Sequence, residues 1–148
     1  MTYSRVQLLT HVHFTVLYGK ACIPKSMKLE SFINHFLRSK FHQPILTYVL
    51  KDHIHCLFFL NPDTSFTESI NELMLSIRAE INRNPDNKNF VWDPCYYASS
   101  CSIQDIERII SELTRQDEFH NRFTYKDEQN KLLEDMLIAE IFAEEYQQ

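Results

Sequence analysis

Residues Leu50–Leu60 read LKDHIHCLFFL, two histidines one residue apart with an aspartate in front and an apolar run behind. On an extended chain successive side chains point to opposite faces, so His53, His55, Leu57 and Phe59 share one face and Ile54, Cys56, Phe58 and Leu60 the other. The Lys51-Asp52 pair reads as a short turn behind a second extended stretch, Ile45–Leu50. The two stretches are expected to form an antiparallel hairpin. Both imidazoles then point the same way, close enough to grip one ion. Spacing alone favours a plainer account, two polar residues tolerated on a half-exposed strand.

Working outward, Val6–Leu17 (VQLLTHVHFTVL) is rich in β-branched and aromatic residues and reads as a strand. Within it lies a second H-x-H pair, His11 and His13, which lacks a neighbouring acid and falls on the same sheet face as His53 and His55 or on the opposite one, depending on strand order. Lys28–Lys40 places Leu29, Phe32, Ile33, Phe36 and Leu37 at helical spacing. Ser65 followed by Glu68 resembles a capping box, opening a helix to about Arg83. Phe90–Ser100 supplies an aromatic strand that Pro94 restricts to an edge or a bend. Ser102 caps a helix to about Phe119, and Lys126–Glu145 reads as a last helix, acidic outside and apolar inside. The order β-α-β-β-α-β followed by helices is that of the α+β ferredoxin-like plan, a split βαβ antiparallel sheet with helices on one face plus C-terminal helices.

At 148 residues the chain is sized for one domain, expected to span 1–148. It has a single glycine, Gly19, which rules out glycine-rich phosphate loops and sets nucleotide-fold enzymes aside. No apolar run approaches the roughly 20 residues of a membrane span, and the start MTYSRVQLLTHVHF does not resemble a secretion signal, so a cytoplasmic protein with no membrane partner is expected. The four cysteines form no C-x-x-C pair and read as reduced and structural. Charge is lopsided: residues 1–60 carry 7 Lys/Arg against 2 Asp/Glu, net +5, and residues 61–148 carry 8 against 18, net −10. The basic half is suited to a polyanion. Arg5, Lys20, Lys25, Lys28, Arg38 and Lys40, with Arg78 and Arg83, are the candidate phosphate contacts, and of these Lys20, Lys25, Arg78 and Arg83 are the ones assigned to DNA.

A third contribution to an ion site is available from the helix after Ser102. There Glu112 and Gln116 lie one turn apart, flanking the apolar stripe. Two imidazoles with an amide or carboxylate oxygen make a mixed site for a divalent ion such as Mg²⁺, Mn²⁺ or Zn²⁺, with positions left open for a phosphate.

Several segments together resemble the single-tyrosine HUH transposases of insertion sequences, including the REP-associated tyrosine transposases. LKDHIHCLFFL is similar to their metal-binding H-u-H strand, SINELMLSIRAEINR to the helix after it, FVWDPCYYASSCSIQDIERI to their W-x-x-x-Y segment, and RQDEFHNRFTYKDE to the end of the helix carrying the third ligand. The resemblance spans nearly the whole chain. It implies that His53, His55 and Gln116 bind the metal, that the cofactor is Mg²⁺ or Mn²⁺, that the partner is single-stranded or hairpin DNA, and that the protein is a homodimer. The family's nucleophilic tyrosine lies four residues before the glutamine, and Glu112 stands there. A tyrosine stores a cleaved strand as a stable phosphotyrosine, whereas a glutamate would form a labile acyl phosphate. Strand one departs as well, with Val16 and Leu17 where the family has a Thr-Lys pair. Tyr96, Tyr97 and Tyr125 are the substitute nucleophiles available, none of them on the expected turn.

The expected function is a transposase-like protein that binds single-stranded or hairpin DNA, its metal site kept and its tyrosine-mediated strand transfer lost. The alternatives are a metal-dependent phosphodiesterase or nuclease using Glu112 as ligand or base, and a dimeric interaction module without catalysis.

Overall fold

The structure is a computed structural model and describes residues 5–17, 23–24, 27–87 and 90–115. The element order is β1 (Leu9–Val16), α1 (Leu29–Ser39), β2 (Gln43–Val49), β3 (His53–Phe59), α2 (Phe66–Asn82), β4 (Trp92–Ser100) and α3 (Ile106–Thr114), with single 3₁₀ turns at Pro85–Asn87 and Ile103–Asp105. The strands form one antiparallel sheet in the order β2-β3-β1-β4, which is the ferredoxin-like arrangement expected from the β-α-β-β-α-β order. The chain divides into two compact units, Met1–Ile110 and Ser111–Gln148, with the sheet, α1 and α2 in the first. The expected helix over 126–145 lies outside the described residues, as do Lys20, Lys25, Gln116 and Tyr125.

Each element forms for a local reason. In α1, Leu29, Ile33 and Leu37 recur every four residues and are buried. In α2, Ile70, Leu73, Met74, Ile77 and Ile81 make a wider inward stripe, and the Ser65 hydroxyl accepts from the Glu68 backbone N–H at 3.4 Å, the capping expected there. Both prolines of the sheet sit on its edge strands, Pro44 on β2 and Pro94 on β4, where a missing N–H costs least. The sheet's register shifts between Pro44 and Leu46, absorbing the proline.

One face of the sheet carries the core. Val12, Phe14 and Val16 of β1 and Ile54, Cys56 and Phe58 of β3 pack with the inward stripes of α1 and α2. Phe90, Phe14 and Trp92 meet edge to face, with centroids 5.1 Å apart for Phe14–Trp92 and 4.7 Å for Phe90–Trp92. The Trp92 indole N–H donates to the Met74 carbonyl at 2.8 Å, tying β4 to α2. Burial pushes the Cys56 thiol up to about 12, so it stays protonated and structural.

The end of α1 holds strain. The Phe41 N–H donates to Arg38 O and the His42 N–H to Leu37 O, at 3.0 and 2.9 Å, a Schellman closure whose left-handed position is usually glycine. Here it is Phe41, at φ 64° and 85 % exposed. An L-residue pays roughly 1 kcal/mol in that region, and this ring returns little by packing. Phe41→Gly is therefore expected to stabilise the fold by about 1 kcal/mol, read as a higher midpoint in urea with an unchanged slope.

Candidate metal centre

The sheet face opposite the core is set by alternation and register. Antiparallel pairing puts His13 directly across from His55, His11 across from Leu57, and Thr15 across from His53. Paired residues point to the same side of a sheet, so all four histidines of the two H-x-H pairs converge. Ring centroids are 4.4 Å apart for His13–His55, 4.9 Å for His13–His53, 5.0 Å for His53–His55 and 5.2 Å for His11–His55. The half-exposed strand considered from spacing alone is not what forms: His53, His55 and His13 are 0 %, 2 % and 1 % exposed, and Leu57 on the same face is fully buried. β3 is an interior strand covered on both faces, and its histidines are buried polar groups that require partners.

Two of those partners are visible, and each engages the same ring nitrogen. His53 Nδ1 meets Asp52 Oδ1 at 2.7 Å, and His55 Nδ1 meets His11 Nε2 at 3.0 Å, one nitrogen donating and the other accepting. When Nδ1 of an imidazole is committed to a second group, the ring is held in one orientation with Nε2 as its ligand atom. Asp52, seen in the sequence only as the residue before the histidines, is thus the carboxylate that orients His53. His13, His53 and His55 each offer a ligand nitrogen, and these atoms all lie within 4.8 Å of one another. Three imidazoles without a cysteine or a buried carboxylate among them fit a divalent cation with open coordination positions. His42 is a contrast: its Nδ1 accepts from the Asn61 backbone N–H at 2.9 Å and its ring meets Phe58 at 5.4 Å, a structural histidine between strand ends.

Gln116 lies outside the described residues. Glu112 is on α3, exposed, in the second compact unit. Arg78 is exposed on α2, which covers the core face of the sheet, and Arg83, the C-cap of that helix, is exposed and pairs with Glu80 at 3.3 Å. Of the tyrosines, Tyr97 pairs with His13 in register and its ring stands 5.9 Å from that histidine, whereas Tyr96 turns towards Phe66 on the core side. His13 and His11 join the cluster through the β1–β3 register, which spacing along the chain leaves open. In a ferredoxin-like sheet the first and third strands are neighbours, so two H-x-H strands meet whenever their phases agree.

A ferredoxin-like sheet bearing a buried imidazole cluster defines a candidate metal-binding α+β protein. The chain belongs to the family described as IS200-like transposases, whose sequence profile matches residues 4–116. Two solved structures share the fold. One is a protein of Deinococcus radiodurans R1 assigned as a transposase, 15 % identical, with a TM-score of 0.58 over 78 % of this chain and 98 % of its own. The other is a REP-associated tyrosine transposase bound to a REP hairpin, 16 % identical, with a TM-score of 0.59 over 81 % of this chain and 74 % of its own. No curated protein matches the chain significantly. Among the described residues no helix is long and apolar enough to cross a membrane.

The partners of the two Nδ1 atoms generate a test. Asp52→Asn and His11→Gln are each expected to weaken binding of a divalent transition ion by roughly 10- to 100-fold, the usual cost of losing a group that orients a ligand. Isothermal titration with Mn²⁺ and Co²⁺ reads it. Unchanged affinity in both variants would show that these contacts orient nothing.

Proposed function

We propose that this protein is a transposase-like DNA-binding protein that engages single-stranded or hairpin DNA, retains the HUH metal site, and has lost tyrosine-mediated cleavage and strand transfer. The observation that carries the reading is the convergence of His53 and His55 with a third imidazole on a buried face, in a chain of a transposase family. A fold neighbour bound to a REP hairpin supports hairpin DNA as the partner. The family match spans residues 4–116, and the proposed single functional domain extends over 1–148.

In this reading His53 and His55 hold the ion through Nε2, with Asp52 and His11 fixing their rings. Gln116 is the further ligand that the family resemblance implies, and a divalent ion held there, Mg²⁺ or Mn²⁺ on that resemblance, would supply electrophilic polarisation of a phosphodiester. Lys20, Lys25, Arg78 and Arg83 are the proposed phosphate contacts. Arg78 and Arg83 lie on the helical layer across the sheet from the histidines, so they would meet the flank of a hairpin and not the phosphate nearest the metal. Loss of strand transfer rests on Glu112 standing where the family has its nucleophile, because a carboxylate cannot store the strand as a stable ester of a phenol. The proposed assembly is a homodimer and the proposed compartment the cytoplasm.

A hairpin oligonucleotide carrying a scissile linkage in its single-stranded flank, incubated with the protein and Mn²⁺, tests the reading. The expected result is a mobility shift that weakens steeply with salt, with no adduct surviving denaturation. A stable protein–DNA adduct would overturn the claim of lost chemistry, with Tyr97 the first residue to map. Adduct-free nicking that disappears in His53→Ala and in Glu112→Gln would assign the attack to water, with Glu112 as base. Absence of any shift at low salt would leave a module that does not bind DNA.

A further inference from the structure

We infer that the metal centre is a three-imidazole site in which His13 of β1 is a ligand in its own right, and that it selects a first-row transition ion such as Co²⁺ or Zn²⁺ over Mg²⁺. The inference rests on the proposed metal site and changes its donor set, and with it the ion. His53 and His55 come from one strand and supply an edge of the site, whereas His13 comes from the neighbouring strand and gives the group a third corner. Its position follows from the sheet register, with His13 opposite His55 and Thr15 opposite His53. The His13 ring therefore stands beside both partners, at 4.4 and 4.9 Å between centroids, and the three candidate ligand atoms all lie within 4.8 Å of one another.

The fourth histidine is placed for a different task. His11 Nε2 is engaged with His55 Nδ1 at 3.0 Å, so His11 acts through His55 as a positioning residue, as Asp52 acts through His53 at 2.7 Å. The cluster thus divides into three ligands and two orienting groups. Each orienting group is on the Nδ1 side of its ligand, so the ligand atom of His53 and of His55 is Nε2.

Donor type decides the ion. Mg²⁺ is hard, takes oxygen ligands, dehydrates reluctantly and holds to octahedral geometry, whereas imidazole nitrogen suits borderline ions whose affinity rises along the first transition row from Mn²⁺ towards Cu²⁺. A site with two imidazoles and oxygen donors accommodates Mg²⁺ or Mn²⁺. Adding a third buried imidazole moves the preference to Co²⁺ and Zn²⁺, with Mn²⁺ weaker and Mg²⁺ weakest. It also leaves fewer positions for water, as in three-histidine zinc sites.

The test uses the full chain freed of metal by a chelator. Titration with Co²⁺ is expected to give one equivalent bound, with visible ligand-field bands of a nitrogen-rich, low-coordinate ion. Competition is expected to place Mg²⁺ at least about 100-fold weaker than Co²⁺. His13→Gln, checked for folding by circular dichroism, is expected to lose about 100-fold or more in Co²⁺ affinity, at or beyond the upper end of what an orienting group contributes, and to change the spectrum. The unmodified chain offers a second readout independent of the variant: long-range ¹H–¹⁵N spectra of the histidine rings on Zn²⁺ addition. His13, His53 and His55 are each expected to show a metal-shifted nitrogen and His11 none. If His13→Gln keeps wild-type affinity and spectrum while His53→Gln abolishes binding, or if the His13 ring is unmoved by Zn²⁺, the three-imidazole inference fails and the two-histidine site stands. If the unmodified chain binds no divalent ion at all, both the inference and the proposed metal site fall.

Discussion

The antiparallel pairing of β1 with β3, in the register that sets His13 across from His55, is the constraint on which the rest of the site depends. A shift of one residue would turn His11 and His13 into the apolar core and Val12 and Phe14 onto the polar face, because side chains alternate across a strand. That slip is opposed by Val12, Phe14, Ile54, Cys56 and Phe58, all fully buried against the two helices. The apolar face of the sheet therefore fixes the polar one. Packing energy on one side is what holds four imidazoles within reach of each other on the other side.

This division also explains why a run as apolar as HIHCLFF contains two histidines. An interior strand buried on both faces would normally be apolar throughout. Here the core face is apolar and the opposite face is a polar cluster in which Asp52 engages His53 and His11 engages His55. Such a cluster is expensive to bury and brings little stability. Its arrangement, with Nδ1 atoms engaged and ligand nitrogens gathered, suits it to holding a cation, and the transposase family supplies the setting in which a divalent ion beside a phosphodiester has a use.

Much of the fold was legible in the residues because local signals agreed: period-four burial in α1, the Ser65 cap, and prolines that could sit only at edges. The same-face placement of His53 and His55 was legible from alternation alone. What sequence spacing could not supply was the phase between strands. His11 and His13 gave no hint of which face they occupy until the register was known, and their value follows from long-range pairing between residues 42 positions apart in the case of His13 and His55. Phe41 was also invisible beforehand, since nothing in a phenylalanine signals a left-handed backbone. Glu112 and Gln116 remain readings from the sequence, the first on an exposed helical turn and the second outside the described residues.

The central claim is that β1 and β3 together hold one cation. Crystals grown with Co²⁺ or Zn²⁺, with anomalous differences collected at the metal's absorption edge, test it most directly. The account predicts a single strong peak within bonding distance of His13, His53 and His55, and none beside His11 or His42. A peak held by His53 and His55 with the His13 ring turned away, or no peak on this face of the sheet, would contradict it.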